Sequence, residues 1–202
     1  MPIAVLYALA AVVGYGLGSI PFGLLLTRAG GVGDIRAVGS GNIGATNVLR
    51  TGRKGLAAAT LLLDGGKGAA AVLLMGLGGE NLGLLAGFAA IAGHTMPVWL
   101  GFKGGKGVAT AAGMGLALYP GTVFICVAVF TVIAVATRFV SLASVGASVA
   151  LPVALLVGRV GFGHQTSGKT LVATTLLAGF IVFTHRANVS RLWKGTEPTL
   201  GR

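Results

Sequence analysis

Several short polar segments interrupt an otherwise greasy chain, and their residue types point to anion chemistry. The first is VGSGNIGATNVLR, residues 38–50. Gly39, Gly41 and Gly44 let the backbone turn its N–H groups inward, while Ser40, Asn42, Thr46 and Asn47 add side-chain donors and acceptors. Arg50 ends the segment with a guanidinium fork that matches phosphate. N–H groups around 40–45, at Gly41 and its neighbours, can hold a phosphate or a developing oxyanion. A plain solvated loop would need neither this glycine density nor the terminal arginine. Ser40 is not a hydrolase nucleophile by pattern, because Val38 stands where the G-x-S-x-G elbow requires glycine.

The second segment is FKGGKGVAT, residues 102–110. Lys103 and Lys106 flank Gly104 and Gly105 just ahead of an apolar helix. Point charges, glycine backbone and a helix N-terminus make a plausible phosphate cradle. The segment lacks the G-x-x-x-x-G-K-[ST] pattern, so nucleotide binding does not follow, and a short basic turn is the bland alternative. In SLAS, Ser141 is either an N-cap or an anion contact, and Ser144 lies one turn deeper on the same face. In THRANVSRL, His185 and Asn188 share a helix face at i, i+3, where the imidazole can orient a hydroxyl or take a proton. Interfacial anchoring is the alternative there and at His94, beside Pro97, whereas His164 lies on an outer loop. Asp64 and Lys67 form an i, i+3 pair inside an apolar run, read as structural, with a substrate-facing Lys67 as the alternative.

The elements that must carry these groups follow from composition. Of 202 residues 54% are hydrophobic and 9% are charged, with a mean hydropathy of +0.90. A soluble domain carries about a quarter charged residues, so this is an integral membrane protein of one domain, 1–202. Spans are expected at 3–26, 55–76, 80–101, 120–137, 141–158 and 169–185, with a short seventh at 107–119 that reaches only ~20 Å. The first lacks the basic leader of a signal peptide and reads as a retained span. With seven crossings, all the non-membrane basic residues except Arg159 and Lys169 fall on one face. The positive-inside rule then puts the N-terminus outside, the C-terminus in the cytoplasm and the polar motifs on the cytoplasmic face.

The charge balance is 15 Lys+Arg against four acids, which suits anionic substrates as well as topology. No nucleic-acid motif occurs, no metal-ligand spacing occurs, and Cys126 stands alone, so neither a disulfide nor a thiolate cluster is expected. A transporter or channel for phosphate esters is the alternative function. It should place polar groups along the whole membrane depth, where only Asp64 and Lys67 are found.

GSIPFG (18–23), VGSGNIGATNVLR, GHTMPVWLGFKGGKGVATAAG (93–113), RFVSLAS (138–144) and HRANVSRLWKGTE (185–197) closely resemble the PlsY family. These are bacterial acyl-phosphate-dependent glycerol-3-phosphate acyltransferases. The resemblance implies a seven-helix inner-membrane enzyme that uses neither acyl-CoA, metal nor other cofactor. It implies acyl transfer from acyl phosphate to the 1-hydroxyl of glycerol 3-phosphate, giving lysophosphatidate and phosphate, in the first acylation of phospholipid synthesis. It assigns Ser40, Asn42, Asn47 and Arg50 to the site, associates Lys103, Gly104, Gly105, Lys106 and Gly107 with glycerol phosphate, matches Ser144 to a phosphate contact, and makes His185 and Asn188 a polar pair beside a structural acid, Glu197. Ser40, Lys106, His185 and Asn188 are the expected catalytic set. The partners expected are the two substrates and the bilayer, with no nucleic acid and no obligate protein. The His-x4-Asp of other acyltransferases is absent, since Trp99, Lys169 and Ser190 follow the three histidines at that spacing. With no acidic base apparent, direct substrate-assisted attack without an acyl-enzyme is expected.

Overall fold

The computed structural model describes residues 1–163 and 166–200; His164 and Arg202 lie outside the described residues. Among these every regular element is helical. They fall into two compact units, Met1–Leu118 and the segment from Tyr119 onward.

The first unit holds α1 (Ile3–Gly18), α2 (Phe22–Ala29), α3 (Ala45–Leu49), α4 (Lys54–Gly76), α5 (Glu80–Thr95) and α6 (Val108–Leu118). The second holds α7 (Pro120–Thr137), α8 (Val140–Phe162), α9 (Gly168–Thr184) and α10 (Arg186–Trp193). Among the described residues five segments are long and apolar enough to cross a membrane: 3–29, α4, 80–100, α7 and α8. The pair α9 and α10, bent by 58°, can make a sixth, and α6 is a shorter apolar helix of 11 residues. Each lies where the sequence predicts a span.

The first span is broken at Ser19–Pro21. Pro21 has no N–H to continue the ladder, so carbonyls there are left over. Such groups are tolerated at membrane depth only when protein satisfies them. Lys67 on α4 does so, donating to the Ile20 carbonyl at 2.9 Å.

Helices meet through small residues. Gly14 and Gly18 of α1 lie directly on the backbone of Ala86 and Ala90 in α5, where any Cβ would collide. In lipid there is no hydrophobic drive between helices, so close backbone approach and dispersion must supply the attraction. Leu62, Leu73, Phe124, Val132, Val135 and Leu176 are exposed, while Thr60, Asp64 and Lys67 of α4 are buried. That inversion of the soluble pattern is what a lipid-facing surface and a polar interior produce. The string GGKG occurs inside α4 at 65–68 and in a loop at 104–107, two unrelated settings.

In the second unit α7 turns into α8 through Arg138, at φ 61°. The C-terminal tail returns to this turn: Leu200 N–H donates to the Arg138 carbonyl at 2.7 Å, and the guanidinium donates back to Leu200 at 3.0 Å.

Candidate active site

The loop from Asp34 to Arg50 is organised around one buried side chain. Asn47 on α3 accepts the Ser40 N–H at 2.9 Å through Oδ1. Its Nδ2 faces the carbonyls of Ile35, Val38 and Asn42 at 3.1, 2.9 and 2.8 Å. An amide has two hydrogens to give, so its donor capacity is filled within the loop. Asn42 Oδ1 accepts the Gly44 N–H at 2.9 Å, and Gly41 N–H closes on the Val38 carbonyl at 3.0 Å. Gly39 and Gly41 hold left-handed φ of 56° and 70°, and a Cβ at Gly39 would strike Asn47 Oδ1. Ile35, Ile43 and Val48 anchor the loop on Leu24 and Ala57.

Two sequence expectations change here. Asn47 was expected to face a ligand; it is buried and builds the cradle instead. The N–H groups of Ser40, Gly41 and Gly44 are already accepted within the loop. Among the described residues no partner takes those of Asn42, Ala45 and Thr46, which therefore suit an anion. Ser40 and Arg50 are exposed, and Asn42 and Thr46 are half-buried.

Charge around this loop is arranged by Asp34. Its carboxylate binds Arg36 at 2.6 Å and Arg28 at 3.1 Å. The Arg36 side chain and N–H, then Arg28, hold this carboxyl well below the usual carboxylate range, and Asp34 in turn raises the Arg36 guanidinium. Among the described residues no acid pairs with Arg50 or Lys103, so both cations are available to phosphate.

The KGGK loop is seated over the end of α5. Gly105 and Gly104 donate their N–H groups to the carbonyls of His94 and Thr95, at 2.9 and 3.0 Å. This corrects the expectation that these two N–H groups face a ligand. The residues must be glycine for another reason: a Cβ on Gly104 would meet the His94 carbonyl and Pro97, and one on Gly105 would meet the His94 ring. Lys103 is exposed and Lys106 half-buried. Gly107, at φ 84°, turns the chain into α6.

Asp64 and Lys67 pair as their spacing predicts, at 2.8 Å. His94 was expected at the interface; it is 4% exposed and joins this pair, with Nδ1 2.8 Å from Lys67 Nζ. Lys67 thus has all its hydrogens committed, which removes the substrate-facing alternative.

In the second unit a polar set surrounds Glu197. Its Oε1 accepts Ser141 Oγ at 2.7 Å and Asn188 Nδ2 at 2.6 Å; its Oε2 accepts Arg191 Nε at 2.7 Å. Burial pushes this carboxyl up, but hydrogen bonds from Asn188, Ser141 and Arg191 outweigh it and hold the group below its ordinary value. Ser141 is therefore not an N-cap; Phe139 holds that position on α8. Ser144 is buried and donates to the Val140 carbonyl at 2.8 Å. His185 sits at the bend between α9 and α10, with Nδ1 2.8 Å from the Ile181 carbonyl. A carbonyl only accepts, so Nδ1 carries a proton and that edge of the ring is engaged. Ser141, His185 and Asn188 line one cavity of about 600 Å³ whose other walls are mainly aliphatic, with Trp193 at one side. The i, i+3 spacing of His185 and Asn188 does bring them to a common surface. The role of Glu197 in fixing Ser141 was not legible, because the two lie 56 residues apart.

The chain matches the family model described as glycerol-3-phosphate acyltransferase over residues 8–195. A glycerol-3-phosphate acyltransferase of Rhizobium etli is 52% identical over 193 residues, covering 95% of this chain and 90% of its own length. One from Hyphomonas neptunium is 51% identical, covering 100% of this chain and 96% of its own. The crystal structure of PlsY, an integral membrane glycerol 3-phosphate acyltransferase, in its glycerol 3-phosphate form superposes with a TM-score of 0.88 at 35% identity over 96% of both chains. Its lysophosphatidic acid form gives 0.86 at 33% identity, over 96% of this chain and 95% of that one. With a family match over nearly its whole length and close relatives at half identity, the chain belongs to the PlsY family of integral membrane glycerol-3-phosphate acyltransferases.

Proposed function

We propose that this enzyme transfers an acyl group from acyl phosphate to the 1-hydroxyl of glycerol 3-phosphate. The hydroxyl oxygen attacks the acyl carbonyl carbon, the acyl–phosphate bond breaks, and lysophosphatidate and inorganic phosphate leave. A substrate phosphate oxygen takes the hydroxyl proton, so no side chain needs to act as a strong base. Acyl phosphate is already activated, and positioning with charge stabilisation then suffices for rapid transfer.

The observation that carries this reading is the preformed loop 34–50. It combines fixed backbone, N–H groups at Asn42, Ala45 and Thr46, and an acid-free Arg50. In this reading the N–H groups stabilise the oxyanion, and Arg50, Ser40 and Lys106 hold phosphate. Lys103 and the KGGK loop attract glycerol phosphate. His185 orients its hydroxyl, and Glu197 keeps Asn188 in place for the same substrate. Ser141 lines the cavity beside His185 and Asn188, Ser144 one turn along α8 is assigned a phosphate contact, and the aliphatic walls of the 600 Å³ cavity suit an acyl chain. Relatives that hold glycerol 3-phosphate and lysophosphatidic acid support the substrate and product. The arginine- and lysine-rich loops support seven crossings in the bacterial inner membrane, N-terminus outside and active site toward the cytoplasm.

The test uses the purified chain in detergent with glycerol 3-phosphate and either acyl phosphate or acyl-CoA. Lysophosphatidate should form with acyl phosphate alone as donor. Turnover only with acyl-CoA would overturn the donor assignment.

A further inference from the structure

Within the first unit, three titratable side chains close on one another, and none of them is required by the reaction above. Lys67 Nζ lies 2.8 Å from Asp64 Oδ1, 2.9 Å from the Ile20 carbonyl and 2.8 Å from His94 Nδ1. An ammonium has three hydrogens and no lone pair, so these three acceptors saturate it. His94 Nδ1 must then accept, which puts the ring proton on Nε2 and fixes the plane of the imidazole. The three acceptors belong to α4, to the break after α1, and to α5. Phe22, at the start of α2, places its ring 5.8 Å from the same ammonium.

The fixed imidazole is the seat of the KGGK loop. Gly105 rests on its Nε2 edge so closely that a Cβ would collide with the ring. The His94 carbonyl takes the Gly105 N–H, and the Thr95 carbonyl takes that of Gly104. Lys103 and Lys106 flank these two glycines. A chain of contacts thus runs from Lys67 through His94 to the two lysines. Tyr15 adds a strut, donating to the Met96 carbonyl at 2.7 Å. Asp64 and Lys67 cancel in charge and His94 is neutral, so the cluster has no net charge with which to attract an anion itself.

We propose that Asp64, Lys67 and His94 are positioning residues that set the KGGK loop for the phosphate of glycerol 3-phosphate, acting through the His94 ring on Gly105. This rests on the reading that the loop lysines hold glycerol phosphate.

The experiment measures both Michaelis constants on the purified full chain, first for the wild type and then for three variants. His94→Leu removes the acceptor that Lys67 needs. It should raise KM for glycerol 3-phosphate by about tenfold or more, since displacing a binding group by about an ångström has effects of this size, and change KM for the acyl donor by less than about twofold. His94→Asn keeps an acceptor near the Nδ1 position and should return KM for glycerol 3-phosphate to within about threefold of wild type. Gly105→Ala pushes on the ring from the loop side and should give the same one-sided rise. A merely structural cluster would lower the yield of folded enzyme while leaving both constants of the folded fraction alone. Unchanged constants, an equal rise in both, or an Asn variant no better than Leu would overturn the proposal. If His94→Leu does not fold, an unaltered KM in Gly105→Ala overturns it alone. A wild type that does not acylate glycerol 3-phosphate would instead sink the underlying reading, and this inference with it.

Discussion

Asn47→Ala is the sharpest probe of the preformed loop. The substitution leaves the Ser40 N–H without its acceptor and frees the carbonyls of Ile35, Val38 and Asn42 from their shared donor. Losing a partner for a buried polar group costs about 1–3 kcal/mol each, and the exposed edge of the loop lets water relieve some of them. A loss of about 2–4 kcal/mol in the ordering of the loop follows, and at ~1.4 kcal/mol per decade kcat/KM should drop about 30- to 1,000-fold. The spans do not depend on this side chain, so the far-UV circular dichroism and the yield of folded enzyme should hold. The assay is lysophosphatidate formation under kcat/KM conditions. Gly39→Ala reaches the same device from outside, since its Cβ would meet Asn47 Oδ1. It should show a comparable loss, and the double variant should lose much less than the sum. If Asn47→Ala stays within about threefold of wild type, or the two losses add fully, the cradle is not held in the way described.

Other expectations follow from the same geometry. Arg50→Lys keeps a charge but loses the guanidinium fork, so KM for a phosphate-bearing substrate should rise about tenfold by steady-state kinetics. Glu197 has a lowered folded-state pKa, so its contribution to stability is complete above the ordinary value of 4.5 and lost as pH falls through the folded value. Thermal melting in detergent should therefore weaken below pH ~4.5 in the wild type, and Glu197→Gln, which cannot titrate, should flatten that dependence. Gly14→Leu forces a side chain into the Ala86 backbone, and folded yield should collapse, at a cost of about 3 kcal/mol or more.

The positions of the spans were legible because long apolar runs leave a membrane protein few alternatives. The break after α1 was not, since only Pro21 marks it and many membrane helices tolerate a proline. The polar motifs were legible as residue types, but the direction in which their groups point was not. Asn47 and Gly105 sit in segments whose composition suggests anion binding, yet the structure uses one side chain and one N–H inward. A sequence cannot distinguish a donor aimed at a ligand from one aimed at its own loop. His94 was misplaced for a different reason: its partners, Asp64 and Lys67, lie on another helix, and no local pattern links them. Glu197 and Ser141 are equally remote, and only the returning tail brings them together.

In the proposed mechanism the site positions two substrates and supplies no nucleophile of its own. The most direct measurement mixes the enzyme with labelled acyl phosphate in single-turnover amounts, first alone and then with glycerol 3-phosphate. Without glycerol 3-phosphate there should be no burst of phosphate and no acylated protein by mass spectrometry. With it, lysophosphatidate and phosphate should appear together in equal amounts. A burst of phosphate equal to the enzyme, or an acyl group on Ser40 or any other residue that then passes to glycerol 3-phosphate, would contradict it.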